Sequence, residues 1–307
     1  MRKLALIASA AVIWASSAQA QDTLKMATIA PSLGQAITMA TFANIVTDNL
    51  DDVEIEVSGG GAATLHMMEV ARGNLDMSMT SPVIYNLMSA GKAMYAKEPD
   101  APELAKNYRL LMWFPYGQYH FAVRADSDIQ VLDDIEGASV FLGPQGGGAY
   151  NAARGWVEAT TGLVVGEDYD AIKANWQTGF QAFLDGKIDV YVNGCLDPCG
   201  QFIQFTETEN LRFIGPETDE GAEVDQWLGK WRYRAEVPAG MYDGQTNEGP
   251  VMSFDTAGGI GVRAVSVMEH LRVHYGGFGG NPSSNFAGGA PVLRDSVIRA
   301  GAGNGLT

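Results

Sequence analysis

Two stretches of the chain carry the same pattern, Gly73-Asn74-Leu75-Asp76-Met77 and Gly186-Lys187-Ile188-Asp189-Val190. Each contains a glycine, one variable residue, an aliphatic residue and an aspartate, follows an amphipathic helical segment and leads into an apolar strand. Glycine suits the left-handed conformation that ends many helices. One such match can arise by chance in any helix-to-strand turn, but two matches with equivalent flanking elements predict two similar lobes.

The segments around each repeat alternate between the period of a strand and that of a helix. In the first half, we expect strands at 24–28, 53–57 and 75–80, and helices at 35–48 and from the glycines at 59–61 to about 72. In the second half, we expect strands at 139–142, 171–176 and 188–192, and helices at 149–160 and 179–184. This alternation predicts a mostly parallel α/β sheet in each lobe.

The carboxyl ends of these strands indicate where a ligand binds, because open α/β sheets bind ligands beyond that edge. The strand of the first repeat ends at Thr80 and Ser81, and that of the second ends at Asn193 and Gly194. Two lobes that face each other through such ends form a crevice that can enclose a small molecule. We therefore expect Thr80, Ser81 and Asn193 to contact the ligand.

The composition is that of a globular protein with an acidic surplus. The 307 residues include 20 Lys and Arg against 36 Asp and Glu, the formal net charge is −16, and 46% of the residues are hydrophobic. Such a surplus repels phosphate backbones and anionic lipids. We therefore expect no nucleic-acid partner and no attachment to an anionic membrane. The length is typical of about two domains.

The N-terminus has the three parts of a secretory signal peptide. Arg2 and Lys3 precede an apolar run from Leu4 to Trp14, which is followed by the small-residue site Ala18-Gln19-Ala20. The run is shorter than the roughly 20 residues that a membrane-spanning helix needs. We therefore expect residues 1–20 to be removed and the chain to be exported to the periplasm. The removed segment holds two basic residues and no acidic one, so the net charge would deepen from −16 to −18.

Two glycine-rich loops could bind an anion through backbone N–H groups at the start of a helix. The loop at 143–148 lacks the Gly-Lys-Ser/Thr of a phosphate-binding P-loop. Its alternative role is a tight turn without a ligand, since glycine is also used for positive φ alone. The candidate ligand contacts in the two loops are Gln145, Gly146, Gly147 and Gly148 in one, and Gly60, Gly61 and Thr64 in the other.

Further candidates lie in the loop at 28–35 and among the aromatic residues. Ser32 and Gln35 could donate hydrogen bonds to a ligand, although Ser32 could equally cap the helix that follows. The aromatic residues at 113–119 could wall a pocket or pack in the core beside a crossover, and we assign Tyr116 to the site. We also expect Tyr85, in the helix that follows Ser81, to contact the ligand.

The cysteines and histidines allow few special roles. An exported chain favours a disulfide between Cys195 and Cys199, whereas the short loop and helical geometry after Pro198 oppose one, so their pairing stays open. His270 and His274 have the spacing of some zinc ligands, but no third ligand accompanies them. We therefore expect neither a metal nor a cofactor.

One segment of the second half resembles a known family. Val237-Pro238-Ala239-Gly240-Met241-Tyr242-Asp243-Gly244-Gln245 resembles the Pro-Ala-Gly-x-Tyr-x-Gly-Gln segment of the TAXI family, the solute-binding receptors of one class of TRAP transporters. Two weaker similarities accompany it. The segment 121–127 is similar to the family's crossover strand, and 132–137 is similar to the turn that opens its second lobe.

The resemblance implies a two-lobed periplasmic binding protein of type II, in which crossover strands join two Rossmann-like α/β lobes. It places the first lobe at 21–118, the second at 119–255 and a return to the first at 256–307, where 260–263 resembles the second crossover strand. It also implies a monomer that captures a small organic acid, such as an amino acid, a keto acid or a dicarboxylate. The acid would be delivered to the membrane subunits of a TRAP permease.

Two other functions stay open. A periplasmic enzyme acting on a small carboxylate could use Asp76 or His66 as a general base, although no nucleophile motif accompanies them. A sensor subunit that binds a ligand and signals would have the same sequence features.

Overall fold

The computed structural model describes residues 22–31, 33–229 and 232–263, together with the backbone of four short strands, Val267–Glu269, Val273–Tyr275, Val292–Arg294 and Ile298–Ala300. The expected signal peptide, Ser32, His270 and the side chain of His274 lie outside this description.

The first half of the chain alternates strands and helices as its periodicity predicts. Its elements are β1 (Asp22–Thr28), α1 (Gly34–Asn49), β2 (Val53–Gly59), α2 (Ala63–Arg72), β3 (Met77–Thr80), α3 (Pro82–Ser89), α4 (Ala101–Ala105) and β4 (Tyr108–Pro115). The loop at 59–61 does not open α2 directly, because Gly60 and Gly61 have φ values of +100° and +82° and form a turn before it.

The second half repeats this alternation. Its elements are β5 (Tyr119–Arg124), β6 (Ser139–Phe141), α5 (Gly148–Thr161), β7 (Asp170–Ala171), α6 (Trp176–Leu184), β8 (Val190–Gly194), α7 (Gly200–Thr206), β9 (Leu211–Phe213), α8 (Ala222–Leu228), β10 (Arg232–Val237) and β11 (Val251–Arg263). Among all helices of the described residues, none is long and apolar enough to cross a bilayer.

The strand expected at 171–176 is wrong in extent. Its β part, β7, is two residues long, and α6 begins at Trp176 rather than at Gly179. Asn175 accounts for the early start, because its Oδ1 accepts a hydrogen bond from the N–H of Thr178 at 2.8 Å and caps the helix. A capping residue thus outweighs the apolar period that favours a strand here.

Two sheets organise the described strands. The first has the order β10-β11-β3-β1-β2, with β4 also paired to β11, and the second has the order β7-β6-β8-β5-β9. Strand β11 is antiparallel to each of its partners β3, β4 and β10, and strand β5 is antiparallel to β8 and β9. The remaining pairings are parallel: β1 pairs with β2 and β3 in the first sheet, and β6 pairs with β7 and β8 in the second. The prediction of two α/β units is therefore confirmed, but each sheet is mixed rather than mostly parallel, since four of their nine described pairings are parallel and five are antiparallel.

The chain passes from the first sheet to the second between Pro115 and Tyr119, and rejoins the first sheet at Arg232. Strand β10 therefore belongs to the first sheet, although its residues fall within the second lobe as expected from the sequence. The lobe limits at 118 and 255 stay predictions, because sheet membership alone does not define a lobe.

The aspartates of the repeated sequence pattern make equivalent hydrogen bonds in the two sheets. The carboxylate of Asp76 accepts a hydrogen bond from the N–H of Lys25 at 2.8 Å, and that of Asp189 accepts one from the N–H of Ser139 at 2.8 Å. Each aspartate therefore ties the start of its own strand to the neighbouring strand. Gly73 and Gly186 have the expected positive φ, at +88° and +65°.

Buried apolar side chains lie on both faces of the second sheet. One face shares a core with the first sheet, to which Trp156 and Phe254 contribute. The other face carries a separate aromatic core that includes Phe183, Tyr191 and Phe202. The shared core holds the strand ends of the two sheets close together.

Candidate ligand crevice

Four segments from both sheets meet where the chain first crosses between them. They are the first turn of α1 at Gln35, the link Tyr116-Gly117, the end of β8 at Gly194-Cys195 and the middle of β11 at Asp255. We call these residues the junction. It lies at the carboxyl ends of β1 and β8, the edge at which open α/β sheets bind ligands.

Gln35 joins three of these segments. Its Nε2 donates to the carbonyl of Tyr116 and to the carbonyl of Gly194, each at 2.9 Å. Its side chain is buried, and Oε1 finds no donor among the described residues. The sequence suggested Gln35 as a hydrogen-bond donor to the ligand, but the protein itself occupies both of its N–H groups.

The contact between the link and β8 allows no side chain at two positions. Gly117 has a φ of +101°, and a Cβ there would lie 2.1 Å from the backbone carbonyl carbon of Cys195. A Cβ on Gly194 would lie 2.7 Å from the rings of Tyr116 and Tyr119. Glycine therefore permits the close approach of the two backbones.

Asp255 is a junction residue that the sequence reasoning missed. Its Oδ1 accepts hydrogen bonds from the N–H of Gly117 at 3.1 Å and of Thr256 at 2.5 Å. Burial raises the pKa of this carboxyl to about 6; its hydrogen bonds, including one from Tyr233, oppose that shift, and the charge of Asp197 adds to it. A lone carboxylate within the apolar run 251–262 is the signal that could have identified it.

The aromatic ring of the link packs inward, against rings of β5 and β11. The ring of Tyr116 stacks on Tyr119 with centroids 5.8 Å apart, and Tyr119 stacks on Phe254 at 4.2 Å. Burial raises the pKa of Tyr116 to about 12, so its hydroxyl stays protonated at neutral pH. At the junction, the backbone carbonyl of Tyr116 contacts Gln35, while its ring forms part of the core.

The loop after β8 is fixed by covalent and polar contacts. Cys195 and Cys199 form a disulfide, and both are buried. Nε2 of the buried His120 lies 2.7 Å from Oδ1 of Asp197 inside this loop. The hydroxyl of Tyr242 accepts a hydrogen bond from the N–H of Cys199 at 2.9 Å, so the segment that resembles the TAXI family packs against the same loop. His120 and Asp197 gave no recognised signal in the sequence.

Asn193 precedes this loop and is also buried. Its Nδ2 lies 2.6 Å from Oε1 of Gln201 and 3.6 Å from Sγ of Cys199, and its Oδ1 has no partner among the described residues. The predicted strand-end residue therefore faces α7 and the disulfide loop.

The starts of α3 and α5 meet across the two sheets. A Cβ on Gly148 would lie 2.8 Å from Cγ1 of Ile84 and 3.8 Å from Oγ of Ser81. Ser81 caps α3 by accepting a hydrogen bond from the N–H of Ile84 at 3.3 Å, whereas the N-cap residue of α5, Gly147, has no side chain to act in this way. Gly146 faces Met94, and Gln145 is exposed.

The remaining candidates lie away from the junction. Thr80 directs its hydroxyl at Sδ of Met67, 3.7 Å away, and the carbonyl of Thr64 accepts a hydrogen bond from Tyr95 at 2.8 Å. Tyr85 is 38% exposed. The N–H of Gly60 donates to Ile29 at 3.1 Å, and the neighbouring Gly61 lies against the ring of His66.

The two alternative general bases have different surroundings. The carboxylate of Asp76 accepts a hydrogen bond from the backbone N–H of Lys25, and burial lowers the pKa of His66. Among the described residues, no group of three or more His, Cys, Asp or Glu side chains could hold a metal ion.

Comparison with known proteins gives a family and several distant structures. The profile described as the NMT1-like family matches residues 32–254. The periplasmic aliphatic sulphonate binding protein SsuA from Escherichia coli is similar with 14% identity and a TM-score of 0.46, covering 76% of this chain and 61% of its own. The alkanesulfonate-binding protein SsuA from Xanthomonas axonopodis pv. citri, bound to MOPS, has 15% identity and a TM-score of 0.48 and covers 77% and 66%.

A TRAP periplasmic solute binding protein from Sulfitobacter sp. NAS-14.1, with bound β-D-galacturonate, has 15% identity and a TM-score of 0.41, covering 62% of this chain and 67% of its own. The chain thus spans less than two thirds of the length of both SsuA structures. No curated protein sequence matches the chain significantly.

Proposed function

Because the chain belongs to the NMT1-like family, within the periplasmic binding protein superfamily, we propose that it is a periplasmic receptor for a small organic acid. The acid would be enclosed between the two lobes and delivered to a TRAP-type permease. The observation that carries this proposal is the junction, where Gln35 of α1 donates to carbonyls of the link and of β8. One side chain thus bridges the strand ends of the two sheets, and a ligand bound there would be surrounded by both.

The start of α5 is the proposed contact for the carboxylate. This helix runs for 14 residues from Gly148, and its N-cap residue, Gly147, has no side chain to cap the first turn. Its free N–H groups and the positive end of its dipole favour an anion. Because α3 meets α5 here, the carboxylate would be held where the lobes close.

The free energy that binding requires supports enclosure of the ligand by two lobes. Micromolar affinity needs about −8 kcal/mol, whereas a ligand of about ten heavy atoms has a ceiling of about −15 kcal/mol. The ligand must therefore reach more than half of this maximum binding free energy, so nearly all of its surface has to contact protein. A crevice that closes meets this requirement better than an open surface groove.

The subfamily, the location and the oligomeric state of the receptor are part of the same proposal. The segment 237–245 supports a TAXI receptor, and residues 1–20 support export. We propose a monomer that works with the permease, without a cofactor.

A thermal-shift screen of the chain lacking residues 1–20 tests the function. The panel contains amino acids, keto acids and dicarboxylates, each beside its carboxamide analogue as a matched uncharged control. We expect at least one acid to raise the melting temperature at millimolar concentration, because a ligand that binds only the folded state stabilises it by mass action. If the carboxamides alone stabilise the protein, or if nothing in the panel does, the proposal is wrong.

A further inference from the structure

The orientation of the Gln35 amide is fixed by its partners. Both atoms at 2.9 Å from its terminal atom are backbone carbonyl oxygens, of Tyr116 and Gly194, and a carbonyl can only accept. The atom between them must therefore be the nitrogen. Rotating the amide by half a turn would place an oxygen against two oxygens, so Oε1 is held in one place as an acceptor.

This acceptor has no partner among the described residues. Gln35 is 2% exposed, and no donor among the described residues reaches Oε1. A buried carbonyl without a hydrogen bond is costly, and a bound molecule that supplies an N–H or O–H would remove that cost.

Buried polar atoms without a partner among the described residues also occur in Asn193, Thr28 and Thr256, but their hydrogen-bonding roles are not fixed. The amide of Asn193 faces the side-chain amide of Gln201, and both could turn together and exchange donor for acceptor. The hydroxyls of Thr28 and Thr256 can rotate and act as either. Gln35 alone among these four presents a group whose role cannot change.

From this geometry we propose that Gln35 is a specificity-determining residue, whose Oε1 accepts a hydrogen bond from a hydroxyl or ammonium group of the ligand. The inference rests on the proposed receptor function and narrows its ligand class. Hydroxy acids and amino acids carry such a donor beside the carboxylate. Keto acids carry an oxygen there, which would face Oε1 with two acceptors and no hydrogen between them.

Matched sets of acids test this by isothermal titration calorimetry on the chain lacking residues 1–20. One set is lactate, alanine and pyruvate, and the other is 2-hydroxyglutarate, glutamate and 2-oxoglutarate. Within a set the members differ chiefly in the group at carbon 2. In whichever set binds, we expect the hydroxy or amino member to bind at least about fivefold more tightly than the keto member, the lower end of what an unsatisfied buried acceptor costs.

Two substitutions assign the discrimination to Gln35. Gln35→Met removes the acceptor, so the ratio between the donor-bearing and keto members should fall to about one, even if both affinities decrease through the lost bridge. Gln35→Lys keeps donors for both carbonyls and offers a further donor, so the preference should reverse toward the keto member. Gln204→Met, at an exposed glutamine of α7, is the matched control and should leave the ratio unchanged.

The outcomes separate this inference from the proposed function. A wild-type ratio below about fivefold, or an unchanged ratio in the Gln35 variants, overturns the role of Gln35 while leaving an acid receptor in place. If no acid of either set, or of the wider thermal-shift panel, binds the wild-type protein, the proposed function fails and this inference fails with it. If Gln35→Met does not melt cooperatively, the wild-type ratio and the Gln35→Lys variant still decide.

Discussion

At the scale of single residues, Asp255 is an ionisable side chain in a buried position. It is 8% exposed, lies among apolar neighbours of β11, and holds the link through the N–H of Gly117. The groups that face it are Asp197, Tyr233, Tyr116 and Tyr119. None of these is a cation, so ionisation of Asp255 is opposed by burial and by the charge of Asp197.

We expect Asp255 to make the folded state less stable as the pH rises. Its pKa is raised from 3.8 to about 6, so the folded state binds the proton more tightly than the unfolded state does. The stabilisation by the protonated carboxyl is fully present below pH 3.8 and is lost as the pH rises through about 6. The full shift is worth at most about 3 kcal/mol.

Asp255→Asn should remove this pH dependence, because an amide can still accept from the N–H of Gly117 but cannot ionise. Urea unfolding should find the variant about 2 kcal/mol more stable than wild type at pH 8 and equal to it, or less stable, at pH 4. Asp126→Asn, at an exposed position, is the control. A constant difference between Asp255→Asn and wild type across this range would contradict the assignment.

At the scale of elements, the link between β4 and β5 is one of the contacts between the sheets. Its three residues, 116–118, leave the first sheet and enter the second, and Gly117 lies directly on the peptide of Cys195. The disulfide joins Cys195 to Cys199, and the N–H of Cys199 donates to Tyr242, so the loop that follows this peptide is also held. The link therefore cannot move away without disturbing β8.

Gly117→Ala should be strongly destabilising for this reason. The new Cβ would meet backbone atoms at 2.1 Å in addition to the cost of a positive φ. We expect a loss of about 3 kcal/mol or more in urea unfolding, against about 1 kcal/mol for Gly137→Ala. Gly137 also has a positive φ, +74°, but a Cβ there would meet nothing within 4 Å. Equal losses for the two variants would show that the close approach carries no cost.

At the scale of the whole molecule, the net charge and the crevice describe different surfaces. The charge of −16 acts mainly at the outer surface, where it disfavours polyanionic partners. Backbone N–H groups at the start of α5 act only over the first turn of the helix. An acidic protein can therefore hold a small anion between its lobes.

Ligand binding should bring the lobes together, and small-angle scattering measures this. A compact chain of the expected mature length has a radius of gyration of about 19 Å. We expect a larger value without ligand and a decrease toward about 19 Å when a stabilising acid from the thermal-shift panel is added. Gly148→Trp would place a ring between α3 and α5 and should abolish the decrease, whereas Gly249→Trp, where a Cβ meets nothing within 4 Å, should not. An unchanged radius in the wild-type protein at saturation would exclude closure.

The sequence by itself determined the local elements and their repetition. The pattern with Asp76 and Asp189 predicted two similar α/β units because helix ends and strand starts depend on residues next to each other in the chain. The same locality explains the error at 171–176, where the capping side chain of Asn175 decided the start of the helix. Strand ends and glycine loops also indicate an edge at which a ligand would bind, and that edge stays a prediction.

Only the tertiary structure decided which groups meet there. Gln35, Gly117, Gly194 and Asp255 are separated by up to 220 residues in sequence, and their contacts depend on how two sheets pack. The packing turned Gln35 from an expected donor into a fixed acceptor, because both of its N–H groups are used by carbonyls of distant segments. Hydrogen-bond roles depend on partners in space, and a residue's type records only which roles are available.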